Sequence, residues 1–196
     1  MADRDTLDTY TRKAADYAKI DMTETQDTAL RGFLSLLPPG GHVMDLGCGP
    51  GLHGAAMIAQ GFRVTGIDAT PAFVDTARAR GVDARLGTFD DLTDLAAYDG
   101  IWASFSLLHA PRVDFPRHLA AIHRALKPGG VIFLGLKLGD GEARDELGRF
   151  YSYFAEDELR AHLARTGFHD IQATCDEGPG LAGTIDPFIL LTAIRG

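Results

Sequence analysis

The chain has 196 residues, 45% of them hydrophobic and 23% charged, with a formal net charge of −8 at pH 7. That length and apolar content suit one globular domain with a substantial core, and an acidic balance without any basic run argues against a nucleic-acid partner or an anionic membrane surface. Two cysteines far apart (Cys48 and Cys175), an N-terminus without a secretory layout and apolar runs well short of about 20 residues predict a cytoplasmic protein with reduced thiols and no membrane span.

Residues 6–37 are mostly helical by pattern. Leu30, Phe33, Leu34 and Leu37 share one face before Pro38 and Pro39 end the segment. A segment placed ahead of a sheet in this way is expected to lie over it, so residues 1–38 are read as a lid and 39–196 as the core of one domain. From residue 42 onward, short apolar runs alternate with amphipathic stretches, the pattern of a parallel sheet covered by helices on both faces. The predicted strands are 42–46, 62–67, 82–86, 100–105 and 131–136, followed by a closing pair at 168–174 and 188–194. A helix is expected over 70–81, with Thr70 accepting a backbone N–H at its cap, Pro71 in its first turn and Gly81 as its stop. Asp90 and Asp91 either cap a helix at 92–96 or contact a ligand. Phe115, Leu119, Ile122 and Leu126 recur at helical spacing up to Pro128-Gly129-Gly130, and Leu159 and Leu163 mark a further helix that ends near Gly167. Disorder is expected in the first few residues and in the glycine-rich stretch 176–183.

The strongest local feature is Asp45-Leu46-Gly47-Cys48-Gly49-Pro50-Gly51, a strand that runs into alternate glycines and then into the apolar helix around Ala55–Ile58. Glycine permits the sharp turn and lets backbone approach a ligand closely, which implies a nucleotide-like ligand. Gly49 to Gly54 also fits the G-x-G-x-x-G dinucleotide spacing, with Asp68 positioned 19 residues after Gly49 to accept from ribose hydroxyls. An NAD-dependent oxidoreductase is therefore one reading. The other is a ligand bearing an ammonium and a sulfonium, for which an acid such as Asp45 beside the loop is favourable by charge.

From about Tyr10 to Phe168 the sequence resembles the class I S-adenosylmethionine-dependent methyltransferases. Asp45–Gly51 looks like their first motif, Val64-Thr65-Gly66-Ile67-Asp68 like their second-strand acid, Tyr98–Trp102 like their fourth-strand entry and Leu126–Gly130 like the turn before their fifth strand. The resemblance implies a Rossmann-like three-layer α/β/α sandwich with a seven-stranded, mostly parallel sheet in the order 3-2-1-4-5-7-6, strand 7 antiparallel. It implies S-adenosyl-L-methionine as cofactor, S-adenosyl-L-homocysteine as product, and contacts from Asp45, Gly47, Cys48, Gly49, Gly51, Asp68, Ala69, Phe89, Asp90 and Ser104. The stretches 102–112, 137–142 and 148–154 are similar to a bacterial small-molecule subgroup often labelled tellurite-resistance-like.

Methyl transfer from a sulfonium is an in-line displacement with a good leaving group, so positioning in a dry pocket supplies most of the catalysis. A hydroxyl acceptor needs a general base, whereas a thiolate or metalloid needs none. His109, after the fourth strand, is the candidate base; otherwise it caps a turn before Pro111. Arg112 either holds an anionic acceptor or stays solvated, and Lys137 ends the fifth strand at the binding edge. Tyr151 and Tyr153 are candidates for the acceptor wall, and Tyr10 and Tyr17 for a cover from the N-terminal helix. His118 and His123, five residues apart, lack the alignment of paired metal ligands, so no metal is expected. The expected partner is a small-molecule methyl acceptor, with the chain a monomer or homodimer. A protein that binds the cofactor without turnover, in a regulatory role, is the alternative from another class.

Overall fold

The computed structural model describes residues 3–179 and 184–196. The N-terminal segment forms two helices, α1 (Arg4–Tyr17) and α2 (Glu24–Ser35), within the stretch whose pattern reads as mostly helical. The break falls at Thr23, which starts α2 with a reciprocal cap: its hydroxyl accepts the Gln26 N–H at 3.2 Å, and Gln26 Oε1 accepts the Thr23 N–H at 2.9 Å.

The core follows as β1 (His42–Leu46), α3 (Leu52–Ala59), β2 (Arg63–Asp68), α4 (Pro71–Ala79), β3 (Asp83–Leu86), β4 (Tyr98–Ser104), α5 (Phe115–Ala125) and β5 (Leu126–Lys137). It closes with β6 (Glu142–Arg144), β7 (Phe150–Ser152), α6 (Glu156–Thr166), β8 (Phe168–Pro179) and β9 (Ile185–Arg195). The main sheet runs β3-β2-β1-β4-β5-β9-β8, parallel through β5, with β9 antiparallel to both β5 and β8. With the separate β6–β7 pair set aside, this is the expected order with its antiparallel seventh strand.

Strand alternation sends neighbouring side chains into two cores. Met44, Ile101, Ala103 and Ile132 meet α5 and α6 on one face, while Val43, Trp102, Val131 and Phe133 meet α2, α3 and α4 on the other. On that second face Trp102 stacks on Phe133 with centroids 3.7 Å apart, and Phe33 of α2 sits 5.3 Å from Trp102. A Cβ at Gly100 would meet Phe33 Cζ at 2.6 Å, so the strand leaves room there for the helix.

Several local expectations are corrected. Residues 92–96 are not helical, because the Asp91 carboxylate turns back to the Thr88 N–H at 2.7 Å and closes a 3₁₀ turn over Phe89–Asp91 instead of opening a helix. Thr70 begins α4, but its side chain makes no capping bond, and its own N–H donates to Asp68 Oδ1. Residues 176–179, expected to be of low order, continue β8 in register with residues 185–188 of β9; residues 180–183, and residues 1 and 2, where disorder was also expected, lie outside the described residues. Among the described residues, no helix is long and apolar enough to cross a membrane.

Phe33 is fully buried between α2 and the sheet. Phe33→Ala is expected to lower the unfolding free energy by about 3–5 kcal/mol, the cost of removing a buried ring and leaving a cavity. Urea-induced unfolding measures it, and a loss under about 1 kcal/mol would show that α2 does not anchor this face.

Candidate active site

At the carboxyl ends of β1, β2, β4 and β5 lies a cavity of about 610 Å³, within the usual range for a small-molecule site. Its floor is the bend after β1. Gly47 has φ +78°, and a Cβ there would come 2.3 Å from the Ser106 Cβ, so the loop can close against the β4 end only without a side chain. Ser106 locks the same point from above, its Oγ donating to Leu46 O at 2.5 Å.

Asp68 ends β2 beside this bend. Its Oδ2 accepts the Gly49 N–H and its Oδ1 the Thr70 N–H, both at 2.8 Å. Burial raises its pKa, and these two N–H groups pull it back. Gly47, Cys48, Gly49, Asp68 and Ala69 all line the cavity. Cys48 is buried, and burial pushes its thiol pKa well up. A Cβ on Gly66 would lie 2.9 Å from its sulfur, so β2 carries a glycine where the Cys48 side chain packs. Phe89, Asp90 and Ser104 line the same end. Asp90 is held by Arg117, whose hydrogen bond lowers its pKa.

The opposite end is built from α1, β5, β7 and the segments between them. His109 Nδ1 lies 2.6 Å from Phe150 O, and its Nε2 lies 2.6 Å from the Tyr10 hydroxyl. A carbonyl only accepts, so Nδ1 carries the proton and Nε2 accepts from Tyr10. Burial lowers the His109 pKa to about 4, leaving the ring neutral at physiological pH. Tyr17, Lys137 and Tyr151 complete the wall. Lys137 Nζ pairs with Asp186 at 2.7 Å and lies 4.3 Å over the Tyr151 ring.

Four expected site residues do not line the cavity. Asp45 shares the side of β1 that carries Val43, and so lies beneath the loop, where it accepts from the Gly54 N–H and its Oδ2 has no hydrogen-bond partner among the described residues. Burial first, and Asp68 second, lift its pKa to about 7. Gly51 serves packing, because a Cβ on it would meet Ala77 Cα of α4 at 2.7 Å. Arg112 is consumed by Glu158 at 2.6 Å, by the Tyr153 carbonyl and by the Phe154 ring 4.6 Å below. Tyr153 sits behind Tyr151, its ring 6.2 Å away, against Gly139.

Sequence reasoning missed Arg149, a buried cation in the cavity wall. Its Nε and Nη2 donate to Asp145 Oδ2 at 2.9 and 2.6 Å, and its Nη1 donates to the Tyr17 hydroxyl at 2.6 Å. It also missed the polar edges of Trp102 and His53. Trp102 Nε1 and His53 Nε2 are buried wall atoms with no hydrogen-bond partner among the described residues, places where a bound polar group would be held. No local motif marks either; the signal for Trp102 is its alternation with Ile101 and Ala103.

A family model described as a methyltransferase domain matches residues 43–130. Over 103 residues the chain is 37% identical to the ubiquinone biosynthesis O-methyltransferase of Xanthomonas oryzae pv. oryzae (strain PXO99A), covering 48% of this chain and 42% of that protein. The chain thus spans less than half the length of that curated relative. Its fold is similar to that of Burkholderia thailandensis 1,6-didemethyltoxoflavin-N1-methyltransferase with bound 1,6-didemethyltoxoflavin and S-adenosylhomocysteine: TM-score 0.72, 23% identity, 97% of this chain and 87% of that one. It is also similar to the [4+2]-cyclase SpnF, with TM-score 0.68, 22% identity, and 91% and 83% coverage. At these identities the structural likeness establishes the fold.

The raised Asp45 pKa has a consequence for stability. The unfolded carboxyl ionises near the ordinary aspartate value of 3.8 and the native one at about 7, so native stability is lost progressively as pH rises between those values. Asp45→Asn keeps an acceptor for Gly54 and removes the titration. From pH 5 to pH 7 the wild type is expected to lose roughly 2–3 kcal/mol relative to this variant, at about 1.4 kcal/mol per pKa unit. A pH-independent difference in urea unfolding would show that Asp45 ionises normally.

Proposed function

We propose, for a chain that belongs to the class I S-adenosylmethionine-dependent methyltransferase family, that it transfers the cofactor's methyl group to a small-molecule acceptor by in-line displacement. The observation that carries this reading is one cavity with two unlike ends: a glycine bend with a carboxylate at one, and a tyrosine, histidine and arginine cluster at the other.

The residues present suit the cofactor. The backbone of Gly47–Gly49 is bare enough to receive the methionine portion, and Asp68 retains lone pairs for ribose hydroxyls beyond the two N–H groups it already holds. Phe89, beside Asp90, offers an apolar ring to the adenine, and Ala69 and Ser104 border the space between. When bound, the cofactor supplies an activated methyl group on a sulfonium whose loss leaves a neutral thioether. The protein's contribution is orientation and exclusion of water.

Residues 1–38 act in this reading as a lid on the 39–196 core. α1 places Tyr10 and Tyr17 over the cavity against Phe73 of α4, with centroids 5.7 and 5.6 Å away. The acceptor occupies the end bounded by His109, Lys137 and Tyr151, with His109 as the base. A cytoplasmic setting fits the two unpaired cysteines.

S-adenosylhomocysteine is expected to bind in calorimetry where NAD does not. Asp68→Ala is expected to weaken that binding by roughly 10- to 150-fold, the loss of charge-assisted hydrogen bonds worth about 1.5–3 kcal/mol. Binding of NAD in place of S-adenosylhomocysteine, or an Asp68→Ala variant that binds unchanged, would overturn the assignment.

A further inference from the structure

We propose that Tyr10 and His109 form a proton relay, through which an acceptor hydroxyl or N–H gives up its proton to the Tyr10 oxygen while the Tyr10 proton moves to His109 Nε2. The proposal rests on the methyl-transfer reading above and narrows it to acceptors that carry a proton on the reacting oxygen or nitrogen.

The geometry fixes every direction in the chain. Phe150 O, 2.6 Å from Nδ1, holds the imidazole in the tautomer whose Nε2 lone pair faces Tyr10, 2.6 Å away. The Tyr10 hydroxyl has one proton and spends it on Nε2. Its oxygen therefore offers only lone pairs, which Tyr17 and Arg149 approach as donors from the wall, and an acceptor proton reaches Tyr10 in place of one of them. His109 cannot reach an acceptor directly along this lone pair, because Tyr10 occupies it. The two rings come from opposite sides of the site, one from α1 and one from the 3₁₀ turn Leu107–His109, and meet edge-on with centroids 5.4 Å apart.

The step balances. The bond from the acceptor heteroatom to the methyl carbon forms as the carbon–sulfur bond breaks, and its electron pair goes to sulfur. The acceptor proton passes to Tyr10, and the Tyr10 proton passes to His109. The positive charge lost at sulfur reappears on the imidazole, so the charge enclosed in the cavity does not change. That exchange matters because an isolated imidazolium there is costly: burial lowers the His109 pKa to about 4, with Arg149 and Lys137 opposing the cation and Asp145 favouring it. Burial, and next Tyr151, raise the Tyr10 pKa, whereas Arg149 and Tyr17 favour its phenolate. Neither group is a strong base alone. Together they move a proton only as sulfur loses its charge.

The test uses the full chain with S-adenosylmethionine and a probe panel of phenol, catechol, indole and thiophenol. The wild type is expected to methylate a hydroxyl or N–H probe with a solvent isotope effect on kcat. Tyr10→Phe and His109→Gln are each expected to lower that kcat about 100-fold, in the range of general-base contributions. The double variant is expected to be no slower than the singles, with KM and S-adenosylhomocysteine affinity within about three-fold of wild type. Methylation of thiophenol, which ionises unaided, is expected to fall by less than about five-fold, far less than that of the hydroxyl and N–H probes. Should His109→Gln fail to fold, Tyr10→Phe carries the test, with nitrogen NMR of His109 reporting the lost Nε2 hydrogen bond. The relay is overturned by a fully active Tyr10→Phe, by an effect confined to KM, by methylation of thiophenol alone, or by tight S-adenosylhomocysteine binding with no probe methylated. Absence of S-adenosylhomocysteine binding would instead overturn the cofactor reading.

Discussion

The bend after β1 is clamped from both of its neighbouring strands. From the β4 side, Ser106 donates to the last carbonyl of β1; from the β2 side, Asp68 accepts the Gly49 N–H. The Ser106 contact does not tolerate a side chain on Gly47, since a Cβ there overlaps Ser106. The parallel register of β2, β1 and β4 sets the spacing that both clamps span, and the floor of the cavity follows from it. The geometry is thus fixed by backbone and two short side chains, which lose little conformational freedom when the site orders.

Charge inside the site is arranged in closed pairs. Arg149 is matched by Asp145, and Lys137 by Asp186. A buried cation left unpaired would carry a desolvation penalty of several kcal/mol, so these acids are the condition for having cations in the wall at all. The pairing leaves Asp68 as the carboxylate that meets the glycine end, although Asp45 looks from its position in the motif like the more suitable acid. Two carboxylates this close, both buried, cannot both ionise cheaply, and the deeper one is the one held toward neutrality.

That contrast shows how far the sequence could be read. Periodicity of two and of 3.6 is a backbone property, so the strands, their parallel arrangement and the glycine bend were legible, as was Asp68 at the end of a strand whose end must face the ligand. Which face of β1 carries Asp45 was also encoded, in the alternation of Val43, Met44 and Leu46, but charge argued more loudly than alternation. Arg149 was not legible, because its role depends on Asp145 and Tyr151, which the β6–β7 pair brings together, and on Tyr17 of α1, without any local pattern. Nor was the turn at Asp91: a carboxylate that caps forward and one that closes backward look alike until the position of Thr88 N–H is known.

α1 differs from the other helices in how it is attached. The residues it buries are Thr6 and Thr9 rather than aliphatic side chains. Thr6 Oγ1 accepts the Phe150 N–H at 2.8 Å, Thr9 donates to Leu147 O at 2.9 Å, and the partly exposed Asp3–Arg144 pair adds at most about 1 kcal/mol. These contacts all reach the 144–150 segment, which also carries Arg149 and the Phe150 carbonyl that orients His109. Hydrogen bonds exchangeable with water cost far less to release than a packed aliphatic face, so α1 is an element suited to local opening from the core. If it lifts, Tyr10 leaves His109 and Tyr17 leaves Arg149 in the same motion. The proposed lid and the acid–base end of the cavity are therefore assembled, or taken apart, together.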